Sequence, residues 1–185
     1  MKGMVIKTTG SQYFIRTEDD NLIEAKLKGK FRIKDVKSTN PIVVGDRVGL
    51  SDDSGMWMID ELLDRKNCIV RKSVNLSKQK HIIASNIDQA ILMITLENPV
   101  TTTAFIDRFL VSANAYKVEV LLIFNKIDIY NESILKEQKK LANIYKEIGY
   151  NIIGLSVLYD DLSDVKIAMK NKINMISGHS GVGKS

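Results

Sequence analysis

The sequence closes with Gly178-His179-Ser180-Gly181-Val182-Gly183-Lys184-Ser185, which matches the phosphate-binding pattern GxxxxGK[ST]. An apolar stretch, 173–177, precedes it and predicts a strand. Glycines let the backbone curve until its amide groups converge on phosphate oxygens, while Lys184 would lie at the β and γ phosphates and Ser185 would bind Mg²⁺. The alternative is an ordinary glycine-rich turn. Because Gly-Lys-Ser follows a predicted strand so closely, the pattern favours a nucleotide phosphate loop.

A second motif, Asn125-Lys126-Ile127-Asp128, follows the apolar run 118–124, which is typical of a strand buried in a parallel sheet. A carboxylate at Asp128 can accept hydrogen bonds from guanine N1–H and the 2-amino group, which adenine does not present. Lys126 would lay its stem along the base, and Asn125 would brace the base edge and the phosphate loop. Polar loops often contain such a tetrapeptide, but its combination with a phosphate loop in one α/β domain indicates guanine nucleotide binding.

The order of the motifs is unusual, because residues 125–128, here called the guanine loop, precede the phosphate loop at 178–185. This inverted order predicts a circularly permuted GTPase domain. A third element, Ser156, ends the predicted strand 151–156 and could donate a backbone or hydroxyl hydrogen bond to guanine O6. A serine that merely ends a strand is the alternative.

From about residue 82 the pattern alternates between strands and helices. Apolar spacing predicts helices over 105–113 and 134–148, the second closed by Gly149, and a short helix around 162–169. The strands between and around them are predicted at 81–85, 89–95, 118–124, 151–156 and 173–177. This alternation predicts a doubly wound parallel sheet whose ligand-binding loops lie at the carboxyl ends of the strands.

The first 70 residues predict a small β-barrel instead. Turn-forming residues separate five short stretches of β-formers, at 4–7, 13–16, 22–27, 43–50 and 56–63. An OB-type barrel is the main hypothesis, with an SH3-like barrel as the alternative. We therefore predict a β plus α/β chain: an OB-fold domain that binds RNA or the ribosome at 1–70, and a partial, permuted GTPase domain at 71–185.

The net charge is +5, and the basic residues are clustered. One stripe alternates along a predicted strand and consists of Lys26, Lys28, Lys30, Arg32 and Lys34. A second cluster consists of Arg65, Lys66, Arg71, Lys72, Lys78 and Lys80. Such clusters predict a polyanionic partner, and the stripe could follow an RNA backbone. An ordinary solvated strand face would carry the same pattern.

Composition excludes several classes of protein. The chain is 44% hydrophobic, yet no apolar run approaches the length of a membrane span, and the N-terminus alternates like a strand instead of forming a signal peptide. Cys68 is the sole cysteine, so an intrachain disulfide is excluded, and the cysteine and two histidines are too scattered for a zinc site. We expect a cytoplasmic monomer that does not bind membranes.

Taken together, the order of barrel, guanine loop, Ser156 loop and phosphate loop resembles the circularly permuted ribosome small subunit-dependent GTPase A family. The matching stretches are 29–32, 40–48, 65–67, 86–89, 107–110, 125–128 and 178–185. This resemblance implies GTP hydrolysis stimulated by the small ribosomal subunit during its late maturation. It also implies the subunit and its rRNA as partners, with GTP or GDP and Mg²⁺ as ligands.

The resemblance further implies parts that follow the phosphate loop: a helix, the switch regions, an aspartate segment of the DxxG type and a C-terminal zinc-binding domain. We therefore expect this chain to be a piece of a longer protein, inactive alone, with zinc held only in that later domain. The catalytic residues stay unknown. The rival hypothesis is a non-catalytic, RNA-binding OB-fold fragment with an incomplete nucleotide site.

Overall fold

The computed structural model describes residues 1–28, 41–71 and 81–184. The chain divides into two compact units, Met1–Ile87 and Asp88–Ser185. The division predicted from the sequence, with RNA binding in 1–70 and nucleotide binding in 71–185, concerns function and stays a prediction. In the described residues, no helix is both long enough and apolar enough to cross a membrane.

Unit 1 contains a closed five-stranded barrel. Its strands are β1 (Lys2–Thr9), β2 (Gln12–Thr17), β3 (Leu22–Leu27), β4 (Arg47–Asp53) and β5 (Met56–Leu62). They follow the order β1-β2-β3-β5-β4, and β3 runs parallel to β5 while the other pairs are antiparallel. This closed arrangement confirms the predicted OB-type barrel.

Alternating side chains build the barrel core. Successive residues of a strand point to opposite faces, so apolar residues at every second position fill the inside. Val5, Ile15, Val48 and Ile59 are fully buried there, and Ala25 nearly so.

Two further strands of unit 1, β6 (Cys68–Arg71) and β7 (His81–Ser85), pair antiparallel in a separate two-stranded sheet. Assigning 81–85 to the alternating strands and helices was wrong. Parallel neighbours need a crossover of about a dozen residues or more. Residues 86–88 alone separate β7 from the next strand, so β7 pairs with β6 instead.

A buried cluster, here called the Asp46 network, links the barrel loops to β7. Asp46 is fully buried and accepts hydrogen bonds from Arg65 Nε and Nη2, both at 2.7 Å, and from the Ser85 hydroxyl at 2.5 Å. The bond with Asp46 raises the pKa of Arg65 above its ordinary value. Interpreting Arg65 as part of a cluster for a polyanion was therefore wrong, because an internal carboxylate neutralises its charge.

Asn67 and Asn86 extend this bracing. The Asn67 amide donates to Ile87 O at 2.7 Å and accepts from Ile87 N at 2.8 Å, while Asn86 Nδ2 donates to Gly45 O at 2.8 Å. A Cβ at Gly45, which has φ +92°, would lie 2.0 Å from Ser85 O. Three of the stretches that carry the family resemblance therefore meet in one structural brace.

Unit 2 is a four-stranded parallel sheet with three helices. Its elements are β8 (Gln89–Ile94), α1 (Thr103–Ala115), β9 (Glu119–Phe124), α2 (Glu132–Ile148), β10 (Asn151–Gly154), α3 (Ser163–Met169) and β11 (Asn174–Ser177), with a 3-10 turn at Ile127–Ile129. The strand order is β10-β9-β8-β11, and every pairing is parallel. The predicted parallel sheet with helices is confirmed.

Local signals explain where the helices begin and end. The Thr102 hydroxyl caps α1 by accepting from Phe105 N, and the Asn131 side chain caps α2 by accepting from Ile134 N at 3.0 Å. Gly149, at φ +109°, ends α2 in the left-handed conformation. All residues of β8 are buried, as expected for a central parallel strand.

Candidate nucleotide-binding site

A cleft of about 570 Å³ lies where the loops after β9, β10 and β11 meet. Its lining comes from three segments distant in sequence: Asn125, Lys126, Asp128 and Ile129; Ser156, Val157 and Leu158; Ser180, Gly181, Gly183 and Lys184. The structure thus brings together most of the residues that the sequence analysis assigned to a nucleotide. Ile127, Gly178, His179 and Val182 lie in these loops but do not line the cleft, and Ser185 lies outside the described residues.

The phosphate loop depends on glycine where it passes close to other chain segments. Gly178 and Gly183 have φ +145° and +93°. A Cβ would lie 2.7 Å from Met93 O at Gly178 and 2.3 Å from Asn125 Nδ2 at Gly183. Neither position has room for a side chain, so the loop packs directly against β8 and the guanine loop.

Lys184 is held by the loop that it follows. Its ammonium donates to Gly178 O at 3.0 Å and to His179 O at 2.6 Å. An ammonium has three donors, so these two bonds fix the charge while leaving a donor for an anion in the cleft. This arrangement fits a phosphate group, as does the close packing of the glycines.

Asn125 joins the three segments. Its side chain is buried, donates from Nδ2 to Val182 O at 2.8 Å and accepts at Oδ1 from Val157 N at 3.0 Å. One amide group therefore sets the guanine loop against both the phosphate loop and the segment after Ser156.

Lys126 and Asp128 present the two charges of the guanine loop. Lys126 is half-buried in the left-handed conformation, at φ +65°, and its ammonium donates to Asn98 O at 2.5 Å. Asp128 is exposed on the 3-10 turn at the wall of the cleft. A ligand in the cleft can therefore reach the carboxylate without displacing a neighbouring segment.

Ser156 is buried, and both its backbone amide and its carbonyl already make hydrogen bonds. Its amide donates to Asp160 Oδ2 at 2.7 Å, and its carbonyl accepts from Asp160 N at 2.8 Å. Of the two donors considered for guanine O6, the hydroxyl is the one that this bonding leaves available. Asp160 was missed, because its role depends on a tight turn that no sequence motif marks.

Tyr130 was also missed by the sequence analysis. It is buried below the guanine loop, and its hydroxyl bonds both Asn125 O and Leu96 N. Burial raises the pKa of this hydroxyl. A tyrosine two residues after the motif carries no recognisable signal of that role.

A magnesium site is not visible in the described part of the chain. Its predicted ligand, Ser185, is outside that part, and residues 1–28, 41–71 and 81–184 contain no group of three or more His, Cys, Asp or Glu side chains placed to hold a metal.

The predicted RNA-binding stripe is described at two positions. Lys26 and Lys28 are exposed at the end of β3, where Ala25 is buried and Leu27 packs against the barrel core. The alternation on which the stripe was predicted therefore holds as far as Leu27. Lys30, Arg32 and Lys34 lie outside the described residues, as do Lys72, Lys78 and Lys80 of the second cluster.

Comparison with protein families gives two matches. Residues 62–185 match the family described as RsgA GTPase, and residues 2–56 match the RsgA N-terminal domain. The chain is 54% identical over 190 residues to a curated protein of Flavobacterium johnsoniae, "Small ribosomal subunit biogenesis GTPase RsgA".

Two solved structures are similar. A crystal structure of YjeQ from Thermotoga maritima has a TM-score of 0.80 and 35% identity, covering 100% of this chain and 62% of that one. The structure of YloQ, described as a circularly permuted GTPase, has a TM-score of 0.75 and 28% identity, covering 99% of this chain and 61% of that one. The alignment with the Flavobacterium protein spans all of this chain and 58% of its relative.

Proposed function

This chain belongs to the RsgA GTPase family, and we propose that it carries the guanine- and phosphate-binding part of a GTPase that acts in late maturation of the small ribosomal subunit. The observation that carries this proposal is the position of Asn125. Its amide joins the guanine loop to the phosphate loop through Val182 O, so that Asp128 and Lys184 line one cleft. Base recognition and phosphate binding then belong to a single ligand.

The cleft offers a guanine base complementary surfaces. Ile129 and Leu158 line it with apolar side chains, and Leu158 is 82% exposed. An apolar side chain held in the open is suited to cover the flat face of a base, while Asp128 accepts hydrogen bonds from its edge. The backbone curve from Gly178 to Lys184 would hold the phosphates, and Ser185 would bind Mg²⁺, which neutralises phosphate charge when it is bound.

Replacing Asp128 by Asn tests this assignment. An Asn amide can donate to the C2 carbonyl of xanthine, where a carboxylate accepts from the guanine amine. In the full-length protein, we expect GTP affinity to fall by at least about 100-fold and XTP to become the preferred ligand. Competition binding with GTP, XTP and ATP measures this. Asp164→Asn, an exposed change on α3, is the control, and an unchanged preference for GTP would remove Asp128 from the base site.

The remaining assignments are part of the same proposal. The small ribosomal subunit and its rRNA would be the partners, contacted by the stripe Lys26, Lys28, Lys30, Arg32 and Lys34 of the 1–70 domain. The protein would work in the cytoplasm as a monomer, away from membranes. The name of the Flavobacterium relative, which refers to small ribosomal subunit biogenesis, supports the partner. The exposure of Lys26 and Lys28 supports the contact surface.

That exposure also favours a second candidate function, a non-catalytic RNA-binding module. Titrating the protein with guanine nucleotide and with rRNA separates the two. Saturable RNA binding without nucleotide binding would favour the module.

A further inference from the structure

We propose that Tyr130 is a positioning residue for base recognition, which ties the guanine loop to segment 95–101 beside it. The inference rests on the proposed guanine nucleotide function. Tyr130 would not touch the ligand, and its effect would pass through Asn125.

The Tyr130 hydroxyl makes two bonds at once. It donates to Asn125 O at 2.9 Å and accepts from Leu96 N at 2.7 Å, in a residue that is 7% exposed. Removing the hydroxyl would leave the buried carbonyl of Asn125 and the amide of the half-buried Leu96 without this partner. Such a loss costs more than the bond itself, because water cannot replace the missing oxygen easily.

The carbonyl that Tyr130 holds belongs to the residue that organises the cleft. Asn125 N donates to Ile94 O at 2.8 Å, so the peptide groups on both sides of its Cα are fixed. The side chain is thereby aimed at Val182 O and Val157 N. A small rotation of this backbone would move Lys126 and Asp128, which follow directly.

Segment 95–101 is a firm support for this bond. Thr95 N donates to Thr101 Oγ1 at 3.2 Å, Thr101 N donates to Thr95 O at 2.7 Å, and the Thr95 hydroxyl donates to Pro99 O at 2.5 Å. Both threonines are buried. The segment is closed on itself, so a bond from Tyr130 to Leu96 anchors the guanine loop to a fixed point.

The same segment approaches both halves of the cleft. Lys126 donates to Asn98 O on the base side. On the phosphate side, the position of a Cβ at Gly181 lies 3.6 Å from Pro99 Cδ. In the helix that follows the segment, the Phe105 ring contacts the His179 ring with centroids 4.2 Å apart and planes tilted by 35°. Tyr130 is thus one of the links that fix the position of the guanine loop relative to the phosphate loop.

A purely structural role for Tyr130 would predict lower stability and nothing else. Tyr145 provides a matched comparison, because it is a buried tyrosine of the same unit whose hydroxyl donates to Asp107 at 2.7 Å, between α2 and α1. Tyr145 does not line the cleft. Tyr130→Phe and Tyr145→Phe each remove one buried hydroxyl, and they differ in what that hydroxyl holds.

The experiment compares GDP with IDP, which lacks the 2-amino group, in the full-length protein and both variants. We expect Tyr130→Phe to weaken GDP binding by about tenfold, to narrow the GDP-to-IDP ratio, and to speed hydrogen exchange of the Leu96 amide without nucleotide. Tyr145→Phe should leave affinity, ratio and Leu96 exchange unchanged.

The possible results separate the two proposals. Wild-type affinity and an unchanged ratio in Tyr130→Phe, with a stability loss equal to that of Tyr145→Phe, would overturn the positioning role and leave the proposed function standing. Unchanged Leu96 exchange would overturn the bond itself. A parent protein that binds no GDP would overturn the proposed function and this inference with it.

Discussion

The Asp46 network of unit 1 has a counterpart in unit 2, the bonds from the Asn125 side chain to Val182 and Val157, here called the Asn125 junction. The two are built from the same parts. Each has a buried polar side chain that joins distant segments, and each presses a glycine of positive φ against that junction. They differ in where the charge lies. Asp46 meets an arginine whose side chain is 14% exposed, whereas the Asn125 junction holds the exposed Lys184 at the wall of a cleft.

A structural polar cluster and a candidate binding site can be distinguished by where their charged groups point. In the Asp46 network the cation and the carboxylate satisfy each other, so the free energy of the contact goes into folding. At the Asn125 junction the internal bonds hold a cation and a carboxylate that face the cleft separately. Glycines and buried polar groups occur in both, and the direction in which the charges point distinguishes them.

We expect the greatest loss of stability when the Asp46 network is disrupted. Asp46→Asn would leave the largely covered Arg65 guanidinium without its counter-charge, and we expect the free energy of unfolding to fall by ~3 kcal/mol. Urea unfolding followed by fluorescence of Trp57, the sole tryptophan and a barrel residue, measures this. Asp53→Asn on the exposed end of β4 is the control. Equal, small losses in both variants would show that the network contributes little to the barrel.

The second prediction tests the Asn125 junction, whose charged neighbours face the cleft. Gly183→Ala would force a Cβ against Asn125 Nδ2, and we expect GDP affinity to fall by about 30-fold, or ~2 kcal/mol. Gly149→Ala is matched, because Gly149 also has positive φ but its Cβ would meet open space. The control should lose stability and keep its affinity. Calorimetric titration with GDP measures the affinity of both variants. Equal affinities in Gly183→Ala and Gly149→Ala would mean that the phosphate loop can shift to accommodate the added methyl group.

A third prediction concerns the Tyr145–Asp107 bond of unit 2, whose polar groups, like those of the Asp46 network, satisfy each other. Burial and then the bond to Asp107 raise the pKa of Tyr145 above the ordinary value of 10.0. Because the folded state keeps the proton that the unfolded chain releases, stability is present below pH 10 and falls above it.

The expected loss for Tyr145 is at most ~1.4 kcal/mol per pH unit. Urea midpoints from the helical circular dichroism at about pH 9 and pH 11 should drop more in wild type than in Tyr145→Phe. An equal decrease in the urea midpoint of the two proteins would contradict the link between Tyr145 deprotonation and stability.

The smallest effect concerns charges on the outer barrel face. Replacing Lys26 and Lys28 by Gln should weaken binding to small ribosomal subunits and reduce the slope of log K against log salt by about 0.7 to 0.9 for each phosphate that the lysines no longer neutralise. Lys139 and Lys140, exposed on α2, are control positions with the same change of charge. An unaltered slope would make Lys26 and Lys28 part of a solvated face.

Sequence alone was sufficient where a signal is local. The bounds of β3 at Leu22–Leu27 and the end of α2 at Gly149 were predicted because alternation and a glycine cap are local patterns. The motifs at 125–128 and 178–185 marked most of the residues that line the cleft, and their roles in guanine and phosphate binding stay predictions. Sequence failed where the outcome depends on distant partners: Arg65 meets Asp46, and Tyr130 meets Leu96 across 34 positions.

The pairing of β11 with β8 has a consequence for how the protein is made. Ile173 N bonds Asp88 Oδ2 at 2.8 Å across 85 positions, so this contact waits until the intervening chain has left the ribosome. At about 5 to 20 residues per second, that wait lasts on the order of ten seconds. β8 and β9 end well before β11 in sequence, so they can pair before β11 is translated. Strand β9, which ends at the loop proposed to distinguish guanine, can therefore pair on the nascent chain before the loop proposed to hold the phosphates exists.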